Sequence, residues 1–178
     1  MKPTLFLDRD GVINHDFGHV YRVEDFIFVD GIFELTRRAC EAGYQIFVVT
    51  NQGGIGRGLY SEDDFIRLSD WMSRQFAAQG AVISKVYFSP VHPTHGVGKY
   101  RCDSDERKPH PGMLLRANAE FGCDFAKSLM IGDKDSDMQA AKSAGVLKRI
   151  FFPNPRFEQH SEDATHQIKN LREVIALL

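Results

Sequence analysis

Asp8 and Asp10 stand two residues apart directly after the apolar run 4–7, in the stretch Asp8-Arg9-Asp10-Gly11. Side chains two apart on a strand point the same way, so the pair is expected to face each other across a few ångströms. Carboxylates that close repel unless a metal ion or a shared proton compensates. The motif is therefore either a metal-assisted site or a solvated turn, and the rest of the chain must decide. Three other places carry chemical capacity: Thr50-Asn51, Arg107-Lys108-Pro109, and Gly132-Asp133 with Asp137 four residues on. Each has a plainer reading. Asp133 could cap a following helix, Asp137 could be a first-turn acid, Thr50-Asn51 a strand exit, and Lys108-Pro109 a stop before a helix.

Strand and helix signals alternate along the chain. Short apolar runs at 4–7, 44–50, 82–88, 128–131 and 147–152 read as strands. Ile32, Leu35, Ala39 and Cys40 form a helical stripe ending at Gly43. Ser61 is placed to cap a helix whose core face is Phe65, Leu68, Met72 and Phe76. Pro111 suits the first position of a helix carrying Met113, Leu114, Ala117 and Phe121, and Gly122 closes it. Another helix is expected over 136–144. Ile168, Leu171, Val174, Ile175 and Leu178 suggest a final helix. This alternation predicts a three-layer α/β sandwich around a mostly parallel sheet of five or more strands. Ligands in such folds bind beyond the carboxyl ends of the strands. Asp8/Asp10, Thr50/Asn51 and Asp133/Asp137 each follow a predicted strand, so one sheet edge should gather them.

The 178 residues, 43% hydrophobic and 26% charged, suit a single domain over 1–178 with a real core. A formal charge of -2 argues against broad phosphate neutralisation on nucleic acid. The run at 4–7 is too short for a secretory h-region, and no stretch approaches a membrane span. Three cysteines make no disulfide framework. A cytoplasmic monomer, with no nucleic-acid or membrane partner, is the expectation.

Taken together and in this order, the four groups resemble the motifs of the haloacid dehalogenase superfamily of phosphohydrolases. The resemblance covers nearly the whole chain, and it implies a Rossmann-like core with no separate cap domain. It also implies Mg²⁺ held by Asp8, Asp133 and the Asp10 backbone carbonyl. Asp8 would attack phosphorus to form an aspartyl-phosphate. Asp10, protonated at first, would serve the leaving alkoxide and later activate water. Thr50 and Lys108 would hold the phosphoryl group, with Asp137 orienting Lys108 or a metal-bound water.

Within the superfamily, Asp10-Gly11-Val12-Ile13-Asn14, the run 50–58 and Arg107-Lys108-Pro109-His110-Pro111-Gly112-Met113 look like the heptose-bisphosphate phosphatase group. Gly132-Asp133-Lys134 with Asp137-Met138 points the same way. The implied substrate is a small phosphorylated sugar, D-glycero-D-manno-heptose 1,7-bisphosphate, losing its 7-phosphate on the way to surface polysaccharide. Asp16, Phe17, Gly18, His19, Thr50, Asn51, Gln52, Gly53, Arg107, Lys108 and Lys134 would hold it. Arg107 can offer a fork to the distal phosphate, with Arg57 a further cation nearby.

Histidinol-phosphate phosphatases form the neighbouring group, and a non-catalytic phospho-sugar-binding protein is the rival of another class. Relatives commonly bind structural Zn²⁺ between the second and third motifs through Cys-x-His and Cys-x-Cys. Here Ser89-Pro90-Val91-His92-Pro93 and Cys102-Asp103-Ser104 retain only Cys102 plainly. A replacement set of His92, His95, Cys102 and Asp103 or Asp105 is thiolate-poor, and the loop is expected to fold without zinc.

Overall fold

A computed structural model describes residues 1–154 and 160–178. Its elements in chain order are β1 (Thr4–Leu7), α1 (Ile32–Glu41), β2 (Gln45–Asn51), α2 (Gly53–Gly56), α3 (Glu62–Ala78) and β3 (Ile83–Ser89). After a long irregular stretch come α4 (Gly112–Phe121), β4 (Leu129–Gly132), α5 (Asp135–Ala144), β5 (Lys148–Phe151) and β6 (His166–Gln167), then a 3₁₀ segment, Leu171–Leu177. The strands form one six-stranded sheet in the order β3-β2-β1-β4-β5-β6. All its pairings are parallel.

Alternation along β1 explains the layering. Leu5 and Leu7 face one side, where Ile32 and Leu35 of α1 and Leu68 and Met72 of α3 pack. Phe6 faces the other, against Met113, Leu114 and Ala117 of α4 and Met138 of α5. β1 and β4 are buried throughout and β2 except at its ends, which is why they read as unbroken apolar runs. The chain winds outward from β1 through β2 to β3, then returns to β4 on the other side of β1. That reversal opens a crevice at the carboxyl ends of β1 and its neighbours, where ligands of doubly wound sheets sit.

Helix starts follow local chemistry. Ser61 caps α3, its hydroxyl accepting from the Asp64 N–H at 3.1 Å, while Asp64 accepts from the Ser61 N–H at 2.9 Å. Pro111 is the capping residue of α4, one place earlier than expected. A correction falls at the C-terminus. Ile168 is not helical: its N–H donates to the Phe151 carbonyl at 3.0 Å, continuing β6 along β5. The segment after it is 3₁₀, capped by Asn170, whose Oδ1 accepts from the Arg172 N–H at 2.9 Å. Apolar spacing alone could not reveal that a sheet edge would capture residues 166–168.

Candidate active site

Asp8 leaves β1 still tied to the sheet, its N–H donating to the Ile131 carbonyl of β4 at 3.0 Å. The carboxylate lies in a nearly water-free floor. Lys108 Nζ donates to Asp8 Oδ1 at 2.7 Å and to the Val49 carbonyl at 2.8 Å, and it meets Asp137 Oδ1 at 2.5 Å. All three donors of the ammonium are thus used. Burial disfavours the Lys108 charge, but Asp137 and Asp8 outweigh it and raise the pKa above the lysine norm. The loop carrying Lys108 is held to β2 by a reciprocal pair. Asn51 Nδ2 donates to the Lys108 carbonyl at 2.9 Å, and the Lys108 N–H donates to Asn51 Oδ1 at 3.0 Å.

Asp8, Asp133 and Asp137 are all buried, and each offers an oxygen within 4.8 Å of the others. One buried ammonium faces three carboxylates. Asp133 Oδ1 has no hydrogen-bond partner among the described residues, although it is shielded from water. Burial, then the charge of Asp8, pushes the Asp133 carboxyl up to about 8. A buried oxygen without a donor, crowded by like charge, is what a cation-binding floor presents before its ion arrives. Gly11 is required here, because a Cβ on it would come within 2.3 Å of Asp133 Oδ2, and its φ is +97°.

Asp10 departs from expectation. β1 ends at Leu7, so the two-residue period does not carry Asp10 round to face Asp8. Its carboxylate turns to Arg9, whose Nη2 donates to Oδ1 and Oδ2, both at 2.8 Å. Asn14 Nδ2 donates to Oδ1 at 3.0 Å and Gln52 Nε2 to Oδ2 at 2.9 Å. Burial raises the Asp10 pKa, yet the Arg9 charge and these donors prevail and hold it below the usual carboxylate range. These donors favour the carboxylate form of Asp10 in this arrangement. Arg9 itself is only 1% exposed, with Nη2 also donating to the Val20 carbonyl at 2.6 Å.

Above the floor lies a cavity of about 580 Å³. Asp8, Asp10, Asp16, Gly18, His19, Thr50, Asn51, Gln52, Gly53, Arg107, Lys108, Lys134 and Asp137 all line it, with Asp133 beneath. Phe17 does not. It is 54% exposed and lines a neighbouring cavity of about 530 Å³, because the turn closed by the Gly18 N–H donating to Asp16 Oδ1 (2.9 Å) sends it outward. Gln52 lines the cavity at 2% exposure, with its amide hydrogen-bonded to Asp10, Thr50 and Tyr60.

Tyr60, His92 and Ser136 line the cavity without having been singled out for it. Burial pushes the Tyr60 phenol up to about 12. His92 had been weighed only as a metal ligand. Its Nδ1 accepts from the His95 N–H at 3.1 Å and the Thr94 N–H at 3.3 Å. Burial, then the charges of Arg107, His95 and Arg57, hold its pKa below the usual histidine value. Arg57, Arg107 and Lys134 give the wall its positive charge. Lys134 Nζ lies 3.5 Å from Asp16 Oδ2 and 3.8 Å from Asp133 Oδ2.

An acid-rich floor with one locked lysine, opening into a cationic cavity at the reversal point of a parallel sheet, defines a site for phosphate-ester chemistry. The family described as HAD-hyrolase-like matches residues 106–173. A D-glycero-alpha-D-manno-heptose-1,7-bisphosphate 7-phosphatase of Burkholderia mallei is 52% identical over 98% of this chain and 93% of its own length. The D-glycero-beta-D-manno-heptose-1,7-bisphosphate 7-phosphatase of Vibrio cholerae is 45% identical over 97% and 94%. Among solved structures, the D,D-heptose 1.7-bisphosphate phosphatase from B. bronchiseptica, complexed with magnesium and phosphate, has a TM-score of 0.81 at 28% identity. That likeness covers 97% of this chain and 96% of that one. The chain belongs to this family of haloacid-dehalogenase-like phosphatases.

Proposed function

We propose that the chain hydrolyses the 7-phosphate of D-glycero-D-manno-heptose 1,7-bisphosphate through a phosphorylated Asp8. The observation that carries the reading is the buried Asp8 carboxylate, held at 2.7 Å by Lys108 beside an unpartnered Asp133 oxygen. The likeness to relatives named for this sugar over 97–98% of the chain supports the substrate.

Asp8 attacks phosphorus, and the bond from phosphorus to the sugar oxygen breaks. Asp10 gives a proton to the departing alkoxide, then takes one from the water that cleaves the acyl phosphate, regenerating Asp8. The ionised Asp10 of the substrate-free site is compatible with this order. An arriving phosphate dianion opposes a second negative charge and favours protonation. Lys108 offsets charge on the phosphoryl oxygens, Asp137 keeps Lys108 aimed, and the Thr50 hydroxyl donates to the same oxygens. Mg²⁺, held by Asp8, Asp133 and the Asp10 carbonyl, would supply the positive charge that brings nucleophile and dianion together. Asp16, His19, Gly53, Arg107 and Lys134 hold the sugar and its second phosphate.

In the same reading, residues 1–178 act as one catalytic domain, a cytoplasmic monomer working on a small phosphosugar. The single sheet supports one domain. The test measures phosphate release from both anomers of the heptose bisphosphate and from histidinol phosphate, with and without Mg²⁺. Mg²⁺-dependent turnover fastest on a heptose anomer is expected, with Asp8→Asn slower by about 10³-fold or more. Faster cleavage of histidinol phosphate would overturn the substrate, and Asp8→Asn turning over like the wild type would overturn the chemistry.

A further inference from the structure

Gln52 and Tyr60 lie one step behind the groups assigned to the reaction, and their hydrogen bonds have a direction. Gln52 Nε2 donates to Asp10 Oδ2 at 2.9 Å and to Thr50 Oγ1 at 2.8 Å, so both amide hydrogens are committed. Tyr60 donates its hydroxyl proton to Gln52 Oε1 at 2.5 Å. The reverse amide orientation would set a carbonyl oxygen against Asp10, which already accepts from Arg9 and Asn14. An acceptor beside an acceptor is repulsive, so the network permits one orientation.

A threonine hydroxyl has one hydrogen to give and lone pairs to receive. Thr50 Oγ1 receives from Gln52, and among the described residues no acceptor takes its hydrogen. Thr50 also lines the cavity. From this we infer that Gln52 and Tyr60 are positioning residues, which leave the Thr50 proton nowhere to point but toward the transferring phosphoryl group. The same amide ties that donor to the acid–base Asp10.

The relay is built to hold still. The Tyr60 ring stacks on Tyr21 with centroids 5.1 Å apart and planes within 5°. It also presses so close to the α2 backbone that a Cβ on Gly54 would sit 2.4 Å from Tyr60 Cε1. A mobile phenol would let the amide rotate, and a rotated amide would compete for the Thr50 proton. This assigns Gln52 a task other than the substrate contact implied by resemblance, and it gives Tyr60 a role no sequence motif announced.

The inference rests on Thr50 acting as a phosphoryl donor, so its test uses p-nitrophenyl phosphate with Mg²⁺ and does not depend on the sugar. Tyr60→Phe keeps the stacked ring and removes only the proton given to Gln52. It is expected to lower kcat about 5- to 20-fold, part of what a lost transition-state donor costs, with KM within about twofold. Thr50→Val should lower kcat further, and Tyr60→Phe added to Thr50→Val should cost less than about twofold more. Gln52→Leu should lose more than Tyr60→Phe because it also frees Asp10, which keeps the inference testable if one variant folds poorly. Full kcat in Tyr60→Phe, in Gln52→Leu or in Thr50→Val would overturn it. So would losses that multiply independently, or a rise in KM with kcat intact. Asp8→Asn separates the layers: if it is inactive while Tyr60→Phe is unimpaired, the relay alone fails. If Asp8→Asn is as active as the wild type, the underlying chemistry fails too.

Discussion

At the floor of the cavity, Asp8 and Asp133 follow directly on β1 and β4, two neighbouring strands joined by hydrogen bonds up to the Asp8 N–H. At its rim, Asp16, His19, Arg57, His92 and Arg107 all stand on loops and turns. Floor groups have one another for partners and almost no water. Rim groups lean on local backbone: Arg107 Nη1 donates to the Val91 carbonyl at 2.8 Å, and His92 is held by its own turn. Charges in the floor act at short range in a medium that screens little, so small displacements there are costly. Rim charges are partly solvated, so they can vary in identity while the reaction stays the same. On the proposed reading, reaction type and substrate choice are thereby separated in space.

The contrast can be broken first at Asp133. Asp133→Asn should cut Mg²⁺-dependent turnover by about 100-fold or more, since it removes a charge from the cation floor. Calorimetry without metal should show the opposite sign for stability. The fold lifts this carboxyl from the ordinary 3.8 to about 8, so the folded state holds its proton more tightly than the unfolded chain. The metal-free wild type should then lose stability as pH rises between those values, and Asp133→Asn should flatten the fall. A difference in melting temperature between wild type and Asp133→Asn that does not change across that window would contradict the account.

At the rim, Arg107→Ala should raise KM for the heptose bisphosphate about tenfold and leave kcat within a fewfold, because it withdraws a charged hydrogen bond present before and during reaction. An equal fall in kcat with KM unchanged would move Arg107 into the floor chemistry. A subtler check is elemental analysis of protein purified without chelator. The 89–107 loop is expected to carry no stoichiometric zinc, and one zinc per chain would show that the rim is metal-braced after all. Smallest of all, Phe17→Ala should change kcat/KM by less than about twofold, as a side chain turned away from the cavity. A larger loss in steady-state assays would mean that the 16–19 turn closes over the substrate.

Much of the floor was legible from residue types. Asp8, Asp133 and Asp137 were placed together because strand ends in a parallel sheet converge, Lys108 was added by the motif resemblance, and the sheet itself was readable from apolar runs of strand length. Arg9 was harder to see. A charged residue between two acids in a turn carries no signal that it will be buried and clamp its neighbour. Tyr60 lay outside every motif and His92 was weighed only as a metal ligand, and their approach to the cavity depends on how the 53–60 turn and the 89–107 loop pack. Gln52 was expected at the cavity, which it lines, but nothing in the sequence signalled that a phenol eight residues away would claim its carbonyl.

Residue order was enough to establish the class of fold and to point to the edge of the sheet where the candidate groups gather, and motif resemblance supplied the roles proposed for Asp8, Lys108, Asp133 and Asp137. The fold and the edge follow from period and spacing, which are local properties of a chain. The clamp of Arg9 on Asp10, the outward turn of Phe17, the inward turn of Gln52 and the capture of Ile168 by a sheet edge were settled by packing. Each depends on which distant group arrives as a neighbour and on how little water remains between them, and no local pattern encodes either.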